Sequence, residues 1–348
     1  MTITLEDGVY VNLDAEKYFA ADRLGSTDLV VLHNRPADWF YRSRHNPFYE
    51  RHVTEEMEFG SALHLLLLEG EDAYRQRCIV KPTHYPEGVK FGEEFDPNGP
   101  MKPWNGNANW CKAWLERHDR ADVHIIDEDM DRRVRHMTAL IQNHPELGEP
   151  MRKGLSEVSI LWTHEATGLR LRARFDKLLP RFTVDLKSFG GNGRGIDMTQ
   201  QCLWLVKDRH YDVQRFMYFL ARQAMGGLIS QGRVFGATGP QADWLARVAT
   251  VETWRWCWIF YRRRDDAKGH APIVKPIYRS HFDATFESGR QKFEVAVANY
   301  RTFVDRFGFD VPWAVVEQGE EPPDHAMPIG LNDCPKPFTF PEPEKDAA

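Results

Sequence analysis

The sequence predicts an α/β fold, a central mixed sheet flanked by helices with a helical N-terminal part. Three observations carry this. Residues 157–164, 168–176 and 182–188 alternate apolar and polar side chains at a period of two, as strands with two different faces do. A further apolar run, WRWCWIFYRR (254–263), precedes a turn-like DDAKGHA and a partner segment, PIVKPIYR. Segments with helical periodicity lie before, between and after these strands, the pattern of a sheet covered by helices.

Taken in order, residues 10–50 read as a short strand followed by helices, with Ser26 as N-cap of the first and Pro36 opening the next. EEMEFGSALHLLLLE (55–69) is a helix whose Phe59, Leu63, Leu66 and Leu67 face a core. The Pro- and Gly-rich stretch 81–105 reads as a loop over one face, and helices follow at about 106–120 and 127–143. The three alternating strands come next. GGNGRG (190–195) is a flexible loop, residues 211–225 form a helix, and a long helix covers about 283–307. Residues 1–315 are expected to form a single domain, and 316–348 a Pro-rich, acidic, mobile tail.

Composition narrows the class. The chain has 348 residues, 42% of them hydrophobic, and a formal charge of −6. That balance argues against a strongly basic nucleic-acid binder but leaves room for a locally basic channel. No stretch of about 18 apolar residues predicts a membrane span, and the N-terminus lacks the basic and apolar regions of a signal peptide. The five cysteines are odd in number and widely separated. This argues against a disulfide framework and favours a reducing cytoplasm.

The chemistry concentrates in GLRLRARFDKLLPRFTVDLK (168–187). Asp185 and Lys187, two residues apart in a strand, share one face, while Phe182, Val184 and Leu186 take the other. In the preceding strand Leu169, Leu171, Ala173 and Phe175 go one way, and Arg170, Arg172, Arg174 and Asp176 go the other. Two carboxylates beside an ammonium suit a hard divalent cation and a phosphate ester. Such a cation lowers the pKa of water and polarises the phosphate, and Mg²⁺ takes oxygen ligands while keeping several waters. Asp176, Asp185 and the Leu186 carbonyl offer such oxygens, and Lys187 serves for charge stabilisation and positioning. A surface ion cluster is the bland alternative for these residues. His64, in the apolar GSALH, is either a satisfied core histidine or an imidazole ligand that widens metal preference towards Mn²⁺. Gly60, one turn earlier, leaves room for close approach. Gln214 and Tyr218 lie one turn apart on a face that Tyr211 and Arg215 join, with Val213, Phe216 and Leu220 opposite. They read as a plain polar stripe or as groups holding a phosphate or the active-site water. Glu157 stands behind the metal ligands or is an additional ligand, or is an edge-strand charge. Arg172, Arg174 and Arg215 are candidate DNA contacts.

In this order, GSALH, RFD, DLK and QRFMY resemble the PD-(D/E)xK nuclease superfamily, in its RecB-like branch. LGSTDLVVLHNRPADWFYR resembles the N-terminal segment of that branch. PWNGNANWCKAW, NHPELGEPM and EVSILWTHEATGLRLRARFD are similar to the exonuclease VIII (RecE-type) C-terminal nuclease domain and its phage and prophage relatives. The likeness spans about residues 10–315. It implies a restriction-endonuclease-like core. By resemblance His64, Asp176, Asp185 and the Leu186 carbonyl bind metal, Lys187 is catalytic with both aspartates, and Gln214 and Tyr218 support the site. Phe175 stands where the superfamily's name has proline, and the cysteine spacing supplies no iron–sulfur cluster. The resemblance implies a Mg²⁺-dependent exonuclease (Mn²⁺ substituting) that digests linear double-stranded DNA 5′→3′. Its 3′ tails would feed recombination by a single-strand annealing protein. It also implies a homo-oligomeric ring. An endonuclease or single-strand exonuclease of the same superfamily is the alternative, and a non-catalytic DNA-binding module on a nuclease fold is a third.

Overall fold

The computed structural model describes residues 3–43, 45–50, 52–120, 122–190, 197–262, 271–280 and 282–314. Its centre is a seven-stranded mixed sheet, ordered Ile273–Arg279, Arg255–Arg262, Phe182–Phe189, Leu169–Leu178, Leu155–His164, Gly8–Tyr10 and Val234–Phe235. The three strands from Leu155 to Phe189 form an antiparallel meander. Phe182–Phe189 then pairs in parallel with Arg255–Arg262. A parallel pair needs a crossover, and the chain between them includes the helices Met198–Asp208, Tyr211–Ser230 and Gly239–Ala249.

The near-continuous apolar run of the Arg255–Arg262 strand follows from burial on both faces. Trp256, Trp258 and Phe260 enter one hydrophobic cluster, with Phe216, Met217 and Phe293 from the helices Tyr211–Ser230 and Ala284–Phe307. Cys257, Ile259 and Tyr261 enter a second cluster on the opposite face, with Phe59 and Leu63 from Glu55–His64 and Val134 and Met137 from Glu128–Gln142. Gly289 sets the packing of the two long helices. A Cβ there would meet the Asp212 carbonyl oxygen at 2.2 Å, so only glycine allows this approach.

Several local expectations need correction. The N-cap of Ser26–Asn34 is Gly25, not Ser26. The Asp28 carboxylate accepts the Gly25 N–H at 2.7 Å and so satisfies it from inside the helix. The expected helix 55–69 is α-helical only to His64, and Leu65–Glu69 is a π-helical turn in which Gly70 N–H donates to Leu65 O. Gly60 is not demanded by packing, since a Cβ there would meet only the Tyr261 hydroxyl at 3.8 Å. The supposed loop 81–105 holds a small hairpin, His84–Pro86 against Met101–Pro103. The GGNGRG loop from Gly191, the turn 263–270 and the tail lie outside the described residues. Among the described residues no helix is long and apolar enough to cross a membrane.

Candidate active site

The site forms where the meander loses its regularity. Between Leu155–His164 and Leu169–Leu178 the register pairs Ser156 with Lys177 and Val158 with Phe175, so Glu157 and Asp176 face each other at the position between. Glu157 has φ 52°, the left-handed region, which is strained for a residue with a Cβ. Side-chain alternation slips at the same level. Phe175 and Leu178 both enter one hydrophobic cluster, and Leu155 and Val158 meet that cluster too. Residues three apart cannot share a face of an undisturbed strand.

The next pair of strands opens there as well. Leu169–Leu178 and Phe182–Phe189 pair at Leu178–Thr183 and Lys177–Val184, and the ladder then stops short of Asp176 and Asp185. In place of a ladder bond, Asp176 Oδ2 accepts the Leu186 N–H at 2.7 Å. In an extended strand the N–H and C=O of one residue leave by the same edge. The Leu186 carbonyl therefore projects towards the Asp176 strand.

His64 closes the group from outside the sheet, at the end of its helix and just before the π-turn. Such turns recur at functional sites. Its Nδ1 lies 3.6 Å from Glu157 Oε1 and its Nε2 3.8 Å from Asp176 Oδ2. One ligand atom from each of His64, Glu157 and Asp176 falls within 4.8 Å of the others. Glu157, expected either behind the ligands, as an additional ligand or as an edge-strand charge, has a carboxylate oxygen in this group, from a residue with αL backbone.

Asp185 sits beside this trio, 1% exposed. Lys187 Nζ lies 2.9 Å from its Oδ1 and 2.7 Å from its Oδ2, the same-face pair expected from their spacing. Gln214 Nε2 donates to Asp185 Oδ1 at 2.8 Å. Tyr218 is buried against Phe175 and Trp256, and its hydroxyl accepts the Arg174 N–H at 3.4 Å. It braces the Asp176 strand from behind.

Arg172, Arg174 and Arg215, the candidate DNA contacts, each engage partners within the protein. Arg172 donates through one nitrogen to the carbonyls of Tyr18, Phe19 and Ala21, capping the C-terminal end of the helix Ala15–Ala20. Arg174 donates to Ser159 Oγ and to the carbonyls of Leu13 and Asp14. Arg215 is 2% exposed and turns away from Gln214, towards Asp283 at 2.6 Å and also Thr285 and Ser280. Adjacent helix positions diverge by about 100°, so Arg215 shares no face with Gln214. These guanidiniums hold the framework.

The electrostatics are those of a crowded acidic cluster. Burial, with the nearby Asp185 and Glu157 charges, pushes the Asp176 carboxyl up to about 7 against the opposing pull of His64. Burial alone would lower the His64 pKa, but the Asp176 and Glu157 carboxylates outweigh it and raise it to about 9. For Lys187 too, burial acts downward, and Asp185 and Asp176 reverse the direction, so it stays an ammonium.

A family model described as a PDDEXK-like domain of unknown function (DUF3799) matches residues 42–235, more than half of the chain. The chain belongs to this family. No curated protein matches the sequence. The PDDEXK-like match spans every residue of the site from His64 to Tyr218, while the Arg255–Arg262 strand and the Ala284–Phe307 helix lie beyond it. The mixed sheet between helices is the fold expected of a PDDEXK-like protein. A PDDEXK-like domain suggests a nuclease, a kind of enzyme that typically uses divalent metal ions, and the acidic cluster could hold one.

The residues present fit such an ion. Glu157 Oε1 is buried with no donor at hydrogen-bonding distance, its positive neighbour His64 Nδ1 standing 3.6 Å away, so the oxygen is open to a closer cation. At a Mg²⁺–oxygen distance of about 2.0–2.1 Å, neighbouring octahedral ligands stand about 3 Å apart and opposite ones about 4.2 Å. Ligand atoms of His64, Glu157 and Asp176 within 4.8 Å of one another would therefore have to draw together around the ion.

Proposed function

We propose that the protein is a metal-dependent DNA exonuclease. In this reading it degrades linear double-stranded DNA 5′→3′ and leaves 3′ single-stranded tails for recombination by strand annealing. The observation that carries the hydrolytic part is the meeting of His64, Glu157 and Asp176 ligand atoms within 4.8 Å, beside the buried Asp185–Lys187 pair. A nitrogen and two carboxylates next to an ammonium suit a divalent cation, Mg²⁺ or Mn²⁺, and a phosphodiester better than any other common substrate. End-dependence, polarity, a ring-shaped homo-oligomer and an annealing partner rest on the resemblance to RecE-type nucleases.

His64, Glu157 and Asp176 would hold the metal, with the Leu186 carbonyl and Asp185 at its margin. When bound, the metal activates water and offsets phosphate charge. The protein's own groups do the rest. The Asp176 carboxylate is fixed by the Leu186 N–H through Oδ2, the oxygen that also faces His64 Nε2. Gln214 holds Asp185 Oδ1, so the Asp185 carboxylate cannot swing towards the trio without breaking that bond. Lys187, partly exposed and charged, stabilises negative charge on the scissile phosphate and on the leaving oxygen.

Linear duplex labelled at its 5′ or 3′ ends, beside covalently closed circular DNA, tests the reading. Early release of 5′-terminal nucleotides with an intact circle is the expected result. Cutting of the circle assigns an endonuclease instead, and preference for single strands assigns a single-strand exonuclease.

A further inference from the structure

On one face of the Tyr211–Ser230 helix, three side chains reach the site-bearing strands at the level of the site, while Arg222 on the same face meets Phe182 and Thr183 at the start of their strand. Tyr218 meets the Arg174 backbone and Gln214 meets Asp185. The third is Tyr211, spaced from them as i, i+3 and i+7 on one helical stripe. Its ring lies under the Lys187 ammonium, with Nζ 4.8 Å from the ring centroid. That distance is within the range in which an ammonium is attracted to an aromatic face.

The chain is shaped to put this ring there. His210, immediately before the helix, takes the left-handed conformation at φ 53°. Histidine tolerates that region better than most residues. The turn separates the helix Met198–Asp208 from Tyr211–Ser230 and makes Tyr211 the first residue of the second helix. The Phe260 ring packs near Tyr211, with centroids 6.4 Å apart, on the strand adjoining that of Lys187. Gly289 against Asp212 fixes the same end of the helix from the other side.

An ammonium has three donors. Asp185 engages Lys187 from one side. A lysine stem has several rotatable bonds, so one carboxylate fixes the distance of the ammonium but not its bearing. A ring face on a second side removes most of the remaining freedom without competing for a hydrogen bond. A donor is left for the phosphate.

We propose that Tyr211 is a positioning residue for the reaction, acting through the face of its ring to hold the Lys187 ammonium against Asp185 and towards the substrate. This rests on the reading of the site as a phosphodiesterase centre in which Lys187 acts. The ring does the work, and the hydroxyl is dispensable.

The test compares Tyr211→Phe and Tyr211→Leu in the full chain, on linear duplex DNA with Mg²⁺. Tyr211→Phe should retain kcat within about twofold. Tyr211→Leu keeps apolar bulk beside Phe260 but has no π face. It should lose on the order of tenfold in kcat, with KM and thermal unfolding close to wild type. A second readout is independent of turnover. The side-chain methylene protons of Lys187 next to the nitrogen should show an upfield ring-current shift that persists in Tyr211→Phe and disappears in Tyr211→Leu. Equal activity and an unchanged Lys187 shift in Tyr211→Leu overturn the inference. Equal loss in both variants also overturns it, by assigning the role to the hydroxyl. Lys187→Ala separates this from the parent reading. If Lys187→Ala cleaves normally, the site itself is misassigned. If Lys187→Ala is inactive while Tyr211→Leu is fully active, only the role of Tyr211 fails.

Discussion

Asp176 Oδ2 accepts the backbone N–H of Leu186 at 2.7 Å, at the point where their two strands stop pairing. One carboxylate thus replaces a missing ladder bond and lines the acidic cluster. Glu157 joins the cluster from the strand on the other side, where pairing with the Asp176 strand is interrupted as well, and His64 closes it from outside the sheet. A regular antiparallel ladder would leave each carboxylate on its own pleat.

The dual role of Asp176 separates two substitutions. Asp176→Asn keeps an oxygen for Leu186 N–H and removes a charge from a crowded site. It should abolish cleavage yet leave stability in EDTA equal to or above wild type. Asp176→Ala strands the N–H and should cost about 1–3 kcal/mol in addition. Denaturant unfolding of both variants checks this, and equal stabilities would mean that the bond to Leu186 contributes nothing.

Glu157 couples strain to ligation. A residue with a Cβ in the left-handed region costs about 1–2 kcal/mol. Glu157→Gly should relieve about that much in metal-free protein while weakening Mg²⁺ binding on the order of tenfold or more. Calorimetric titration and thermal unfolding on the same samples test both halves. A variant that binds Mg²⁺ as wild type does removes Glu157 from the ligand set.

The acidic cluster makes metal-free stability depend on pH in a definite direction. Asp176 rises from an ordinary 3.8 to about 7, and His64 from 6.5 to about 9. Both folded values lie above the unfolded ones. The Asp176 contribution is therefore fully present below pH 3.8 and lost as pH rises through about 7. That of His64 is fully present below 6.5 and lost as pH rises through about 9. Mg²⁺ displaces these protons, so its binding strengthens over the same window. The rise in Tm on adding Mg²⁺ should be larger at pH 9 than at pH 6, measured by calorimetry in each buffer. An equal rise at both values would detach metal binding from these two groups.

Arg215→Ala breaks a largely buried ion pair with Asp283. It should destabilise the protein by about 3 kcal/mol while leaving the salt dependence of DNA binding unchanged. Loss of a phosphate contact would instead flatten that slope. Measuring affinity at several salt concentrations, below the variant's unfolding temperature, distinguishes the two.

The sheet was legible because period-two alternation is a local property of sequence, and Lys187 beside Asp185 follows from that period alone. His64 was legible as a polar group in an apolar helix. The αL backbone at Glu157 was not, since no glycine or asparagine marks it, and the conformation is held by strands on either side. The break between Asp176 and Asp185 was hidden for the same reason, because ladders end through pairing and not through residue type. The internal partners of the arginines were hidden because a charged side chain reads alike whether it meets a phosphate or a helix's last carbonyls. Their partners Tyr18, Phe19 and Ala21 lie about 150 residues away from Arg172 in sequence, beyond any local pattern. Gly25 holds the N-cap position in place of Ser26, and the Asp28 carboxylate accepts its N–H.

The most direct test is hydrolysis of linear duplex DNA by wild type and Asp176→Asn, each with Mg²⁺ and with excess EDTA. Cleavage by wild type with Mg²⁺ alone, and by neither protein otherwise, is the predicted result. Cleavage that survives EDTA, or that Asp176→Asn performs at the wild-type rate, would contradict a metal-dependent centre built on His64, Glu157 and Asp176.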